Sequence, residues 1–227
     1  MKSERKENHK PKGRGSEKSA GIGAALKDLW PGQSTELLKS LHILTRDGAL
    51  NQDSKRKLKQ VQHLVQFLVP GLEGLKTVAD LGAGKSYLGF MLYDLWLRDH
   101  EESHLFAVES RPGLIETCQV IARESGFDRT TFVAASILDA ISDSSLPESI
   151  DAVTALHACD TATDEAIAFA LKKNAKFIAL VPCCQAEVAR LLEGTEARKL
   201  GAASSLWRHG IHRREFGSHL TNVIRAL

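Results

Sequence analysis

Apolar and polar positions change period several times along this chain, and each change marks an element. From residue 53 to 69, Leu58, Val61, Leu64, Val65 and Leu68 recur three and four apart among Lys, Gln and Arg, the spacing of one helix face. Asp53 or Ser54 is placed to cap its start, and Pro70-Gly71 to end it. Upstream, Leu26 to Leu29 and Leu37 to Leu44 suggest shorter amphipathic helices separated by Pro31-Gly32. Beyond residue 75, apolar runs of strand length alternate with helical stretches. Strands are expected at 76–81, 104–109, 131–134, 150–156 and 176–181. Helices are expected after the first strand to about Arg98, then over Leu114 to Gly126, Thr163 to Lys173, Ala186 to Leu192 and Phe216 to Leu227. This alternation predicts an α/β fold, a doubly wound, mostly parallel sheet with right-handed crossovers.

The same pattern divides the chain. Residues 1–20 carry Lys2, Arg5, Lys6, Lys10, Lys12, Arg14 and Lys18 and almost no apolar side chain, so a disordered basic tail is expected there. Residues 21–50 read as a helical extension and 51–227 as the main domain. No apolar segment follows the N-terminal charges as in a secretory leader, and no run is long enough to cross a bilayer. A soluble, cytoplasmic protein is the expectation.

Charge refines the picture only locally. The 30 Lys and Arg nearly balance the 28 Asp and Glu, giving a net +2 that does not by itself imply nucleic acid. Three clusters are more suggestive: the tail, the group Lys55, Arg56, Lys57 and Lys59, and the group Arg208, His209, His212, Arg213 and Arg214. Each can neutralise phosphates, and each also reads as an ordinary solvated face. The four cysteines, Cys118, Cys159, Cys183 and Cys184, have neither the spacing of a disulfide framework nor that of a Cys-x-x-Cys metal knuckle, so reduced thiols are expected.

The chemistry concentrates at strand ends. Residues 78–90, Val-Ala-Asp-Leu-Gly-Ala-Gly-Lys-Ser-Tyr-Leu-Gly-Phe, read as a buried strand carrying Asp80, a turn at Gly82 and Gly84, and the start of a helix. Glycines let the backbone approach a ligand, and the helix start offers N–H groups. Gly84-Lys85-Ser86 imitates the end of a phosphate-binding loop, but Ala79 replaces its leading glycine and Asp80 would repel phosphate. The dinucleotide fingerprint fails at Tyr87, where close helix–strand packing wants a small residue. S-adenosylmethionine (AdoMet) has no pyrophosphate, and its ammonium and sulfonium favour a carboxylate, so Asp80 with Gly82 and Gly84 suits it better. Glu109, ending the second strand, is placed to hold both ribose hydroxyls, and Ser136 with Ile137 falls where adenine would lie.

The fourth strand runs into Leu156-His-Ala-Cys-Asp-Thr-Ala-Thr-Asp164 and the fifth into Val181-Pro-Cys-Cys-Gln185. If these strands are neighbours, His157, Asp160, Cys183, Cys184 and Gln185 converge where a methyl acceptor would sit. Zinc held by His157, Cys159, Cys183 and Cys184 is the competing idea, but vicinal cysteines rarely close on one tetrahedral ion, and no metal is expected. A ribose hydroxyl acceptor would want a general base, for which His157, or Asp160 through water, is the candidate. A base nitrogen would need only orientation, for which Gln185 suffices. Cys183 could instead attack a pyrimidine carbon.

Together, Asp-Leu-Gly-Ala-Gly-Lys-Ser-Tyr-Leu, Leu-His-Ala-Cys-Asp-Thr-Ala-Thr-Asp and Pro-Cys-Cys-Gln resemble the AdoMet-dependent methyltransferase family that contains the eukaryotic acceptor-stem tRNA 2′-O-methyltransferase and bacterial relatives. The resemblance runs from about Leu50 to the C-terminus. It implies a Rossmann-like methyltransferase sheet, AdoMet at Asp80, Gly82, Gly84 and Glu109, and an RNA acceptor near His157, Asp160, Cys183 and Gln185. The zinc-binding modules of the tRNA enzyme have no counterpart here. A terminal strand hairpin is also missing from the pattern, so an open sheet edge, covered by a partner or a second copy, is expected. Methylation of a protein or small metabolite, or non-catalytic binding of AdoMet or RNA, are the alternatives.

Overall fold

The computed structural model describes residues 28–156, 158–182, 186–193 and 209–227. They fall into two compact units divided between Gln60 and Val61.

In the first unit, Thr35–Ser40 forms helix α1. Ser34 caps it, its side chain accepting the Leu37 amide at 3.2 Å. Leu37 and Leu38 are buried on it. Leu26 lies outside the described residues, and Asp28 and Leu29 form a turn and a bend rather than helix. Helix α2 spans Gln52–Leu72, and its residues from Val61 onward belong to the second unit. Its cap is Asn51, whose side-chain oxygen accepts the Ser54 amide at 2.8 Å, in place of Asp53 or Ser54. Pro70 does not end this helix. It sits in the last turn, and the helix runs two residues beyond it. Gly71 is there for space, since a Cβ would lie 2.4 Å from the Phe177 ring.

The second unit is the α/β layer structure. In chain order it comprises β1 (Thr77–Leu81), α3 (Tyr87–Leu95), a 3₁₀ turn (Leu97–Asp99), β2 (His104–Val108), α4 (Pro112–Glu124), β3 (Thr130–Val133) and α5 (Ile137–Ala140). There follow β4 (Ala152–Leu156), α6 (Thr161–Lys172), β5 (Phe177–Val181), α7 (Glu187–Leu191) and α8 (Gly210–Ala226). The strands form one sheet in the order β3-β2-β1-β4-β5, every pair parallel. The order reverses between β1 and β4, which opens a crevice at their carboxyl ends. Ala79, Leu81, Phe106, Val108, Val153 and Ala155 bury one sheet face against Ile150, Ala166 and Phe169. Two differences from the periodic pattern are the short α5, capped by Ser136, and α8, which starts at Gly210 rather than near Phe216. Among the described residues β5 pairs only with β4, and Ile178 on it is 39% exposed.

At the amino end of the sheet Asp151 ties three strands together. Its carboxylate accepts the amides of Lys76 and Thr77 at 3.0 and 3.1 Å and the Thr77 hydroxyl at 3.1 Å. Lys176 pairs with it at 2.7 Å. The Lys176 ammonium, followed by these amides, holds the carboxyl down at about 2. The opposite end of the sheet is thereby left to the site.

Candidate functional site

The site grows from the turn after β1. Gly82 and Gly84 have φ of +62° and +60°, values open to glycine and strained for other residues. Ser86 shares this left-handed geometry at +52°, immediately before α3. The turn is pinned to β2, because the Ala83 amide donates to the Val108 carbonyl at 2.9 Å. From α4, the Cys118 thiol reaches the Gly84 carbonyl at 3.7 Å, and burial lifts that thiol to about 11, so it is an inert packing group.

Asp80 is 2% exposed and still lines a cavity of about 230 Å³ with Gly82, Gly84, Lys85, Tyr87 and Leu156. Desolvation raises its carboxyl to about 7, against opposing hydrogen bonds from Thr154 and the Gly89 backbone. The Thr154 hydroxyl lies 3.3 Å from both Asp80 Oδ1 and the Ala79 carbonyl. Gly89 keeps the space open, since a Cβ there would meet Ser86 Oγ at 2.6 Å and Asp80 Oδ2 at 3.2 Å.

Glu109 stands at the end of β2 with the opposite electrostatics. It is 4% exposed, yet its pKa is lowered, favouring the ionised form. The Arg111 side chain is the main cause, joined by the amides of Arg111 and Gly84. Its Oε2 accepts the Gly84 amide at 2.8 Å and its Oε1 the Arg111 amide at 3.0 Å. Glu109, Ser136 and Ile137 line a second cavity of about 310 Å³, with Ala158 and Glu165 across from them. Gly82 and Arg111 border both cavities. The Ser136 hydroxyl is spent locally, accepting the Asp139 amide at 3.1 Å and donating to the Asp139 carboxylate at 2.6 Å.

On the acceptor side, β4 and β5 are neighbours in register from Ala152 with Phe177 to Leu156 with Val181. The condition for their loops to meet is satisfied. His157, Cys183, Cys184 and Gln185 lie outside the described residues. Asp160 is described, and its carboxylate is heavily used. It accepts the Ala186 and Glu187 amides at 2.6 and 3.2 Å and pairs with Arg190 at 2.7 Å. Arg190, then those amides, depress its pKa, which makes Asp160 a weak base and a strong clamp between the two strand-end loops. Its backbone, φ +53° and ψ −127°, is in a region that non-glycine residues rarely occupy. Arg225 of α8 adds to the clamp, donating to the Asp160 carbonyl at 2.8 Å and to both oxygens of Asp164. Among the described residues no cluster of three or more His, Cys, Asp or Glu side chains is arranged to hold a metal ion.

A glycine turn after the first strand, a carboxylate ending the second and two cavities at the switch point of a 3-2-1-4-5 sheet place this chain among known proteins. A family model described as a methyltransferase domain matches residues 56–191. The chain belongs to that family. No curated protein sequence matches it. Among solved structures, a candidate caffeoyl-CoA O-methyltransferase from Staphylococcus aureus is similar over 90% of this chain and 88% of its own, at 9% identity and a TM-score of 0.47. A candidate O-methyltransferase from Klebsiella pneumoniae covers 70% and 68% at 18% identity and a TM-score of 0.46. CalS10, a SAM-bound amino pentose methyltransferase from Micromonospora echinaspora, covers 51% and 45% at 13% identity and a TM-score of 0.38. Of CalS10 and several other solved structures to which it is similar, the chain spans less than two thirds of the length, between 45% and 61%.

Within this methyltransferase domain, Asp80 and Gly84 border the smaller cavity, Glu109 and Ser136 the larger, and Gly82 both. Sequence reasoning missed Arg111 and Thr154. Thr154 carries no signal, being one polar residue in an apolar strand. Arg111 had one, because the following Pro112 fixes it in extended backbone two residues past Glu109.

Proposed function

We propose that this chain is an AdoMet-dependent methyltransferase acting on RNA. The paired cavities carry the reading: a buried, uncharged-leaning carboxyl at Asp80 beside one, a pre-oriented carboxylate at Glu109 beside the other, and a glycine turn between. These groups fit AdoMet. Glu109 suits two ribose hydroxyls, the space by Ser136 and Ile137 suits the adenine, and the Asp80 cavity suits a cationic amino-acid end. Two carboxylates suit neither a triphosphate nor a pyrophosphate. When bound, AdoMet supplies an electrophilic methyl on a sulfonium.

The residues of the chain then position and deprotonate. Asp80 balances positive charge in the cavity of about 230 Å³ that it lines. Asp160 ties the start of α6 to Ala186 and Glu187, and Arg225 holds Asp160 and Asp164, which steadies the side of the site that an acceptor approaches. His157 is assigned as the general base for a hydroxyl acceptor, with Cys183 and Gln185 orienting it. Asp160, already saturated, serves by tying the start of α6 to Ala186, Glu187 and Arg190.

RNA as acceptor is supported by charge. Arg56 is 81% exposed, and its pair with Asp53 is a surface contact that phosphate can replace. Lys55 and Lys59 share Asp28 at 2.7 and 4.0 Å, an exchangeable arrangement of the same kind, and Lys57 extends the patch. Arg214 on α8 is 69% exposed. The tRNA resemblance of the two strand-end motifs adds to this. No described helix is long and apolar enough to cross a membrane, and a cytoplasmic location goes with an RNA substrate. Incubation with methyl-tritiated AdoMet and total RNA tests the reading. Label in RNA that is lost in Asp80→Ala is expected, whereas label only in protein or small molecules would overturn the RNA assignment.

A further inference from the structure

Both oxygens of Glu109 are taken twice over. Besides the two backbone amides, Arg111 Nε donates to Oε1 at 2.8 Å and Arg111 Nη2 to Oε2 at 3.2 Å. Ser110 Oγ lies 3.4 Å from Oε1. A planar guanidinium thus covers the fork of the carboxylate that a ribose diol would use. The two layers of donors differ in what they need in order to leave. The amides are fixed: Pro112 at the first turn of α4 keeps Arg111 extended at φ −95° and ψ 107°, and the Arg111 carbonyl accepts the Leu114 amide at 3.1 Å. The guanidinium hangs on a side chain that is 68% exposed and borders both cavities.

We propose that Arg111 is a latch on the nucleoside seat. In the ligand-free protein it caps Glu109. When a cis-diol enters, two hydroxyl donors replace two guanidinium donors on the same oxygens, and only side-chain torsions of Arg111 change. One amide remains on each oxygen throughout, so the buried carboxylate is never left unpaired while the exchange occurs. The guanidinium, released at the border of both cavities, is then free to close over the ligand. The latch rests on the reading of Glu109 as the ribose holder, and it makes cofactor entry a competition with an internal ion pair.

The test is calorimetric titration of the full chain with S-adenosylhomocysteine, comparing wild type, Arg111→Met and Arg111→Lys. Methionine keeps the stem and removes the donors. Because the wild type spends a partly exposed bidentate pair on binding, Arg111→Met is expected to bind about five-fold tighter, with Arg111→Lys between them. Raising salt is expected to tighten binding in wild type and to leave Arg111→Met unchanged. Equal or weaker binding by Arg111→Met, with wild type binding normally, would overturn the latch and leave the cofactor assignment standing. Absence of binding in wild type and both variants would overturn the cofactor assignment and the latch with it.

Discussion

Cofactor affinity is expected to depend on pH through Asp80. The carboxyl is buried, and desolvation lifts it from 3.8 to about 7. A ligand that places positive charge in the adjoining cavity needs the ionised form, so binding must expel a proton whenever pH lies below about 7. With that value the ionised fraction falls from about nine-tenths at pH 8 to about one-tenth at pH 6, which weakens binding about ten-fold, or about 1.4 kcal/mol. Asp80→Asn keeps the shape and removes the titration. Its affinity should be flat over the same range and at least about ten-fold below that of wild type at pH 8. Titration calorimetry with S-adenosylhomocysteine, in two buffers of different ionisation heat, reads affinity and protons released together. The ligand-free protein gives an independent check. Between 3.8 and about 7 the unfolded chain has lost a proton that the folded chain retains, so Asp80 lowers stability as pH rises through that window and adds no further slope above it. A wild-type affinity that is flat from pH 6 to 8, with no proton released, would refute the reasoning.

Other outcomes follow from the same structure. Asp151 behaves in the opposite sense: its folded value of about 2 lies below the ordinary 3.8, so its contribution of about 2 kcal/mol is present above pH 4 and lost as pH falls toward 2. Denaturant unfolding of Asp151→Asn at pH 7 should show a loss of that order and a smaller change on acidification. Gly71→Ala should lose about 1–3 kcal/mol of stability in the same assay, because its Cβ would overlap the Phe177 ring. Asp160→Ala should leave S-adenosylhomocysteine affinity within about two-fold while lowering methyl transfer more than about ten-fold, since Asp160 itself lines neither cavity but ties the start of α6 to Ala186 and Glu187. His157→Ala should reduce turnover with binding intact, and full activity in that variant would remove its assignment as base.

How much of this was legible in the sequence depended on whether a signal was local. The strands declared themselves because β1, β2 and β4 are short, largely apolar runs buried in a parallel sheet and β5 is an apolar run at its edge, and all five lie where expected within a residue or two. The glycine turn and Glu109 were legible because cofactor chemistry concentrates at strand ends. Asn51 was overlooked as the cap of α2 because Asp53 and Ser54 compete for the role one turn along, and only the Ser54 amide decides between them. Pro70 misled because a proline breaks a helix by what it denies the preceding turn, and this site tolerates that loss. Asp160 was the least legible. Its type and position suit a base, but its protonation state is set by Arg190 and two amides some 30 residues ahead, which no local pattern reveals. Arg111 was hidden differently, as an exposed arginine whose importance comes wholly from the buried carboxylate it covers.

The most direct measurement is titration of the purified full chain with S-adenosylhomocysteine, with NAD and ATP in parallel. The account predicts micromolar binding of S-adenosylhomocysteine, lost in Asp80→Ala, and no binding of the two phosphorylated nucleotides. A well-folded protein that ignores S-adenosylhomocysteine, or that prefers NAD or ATP, would contradict it.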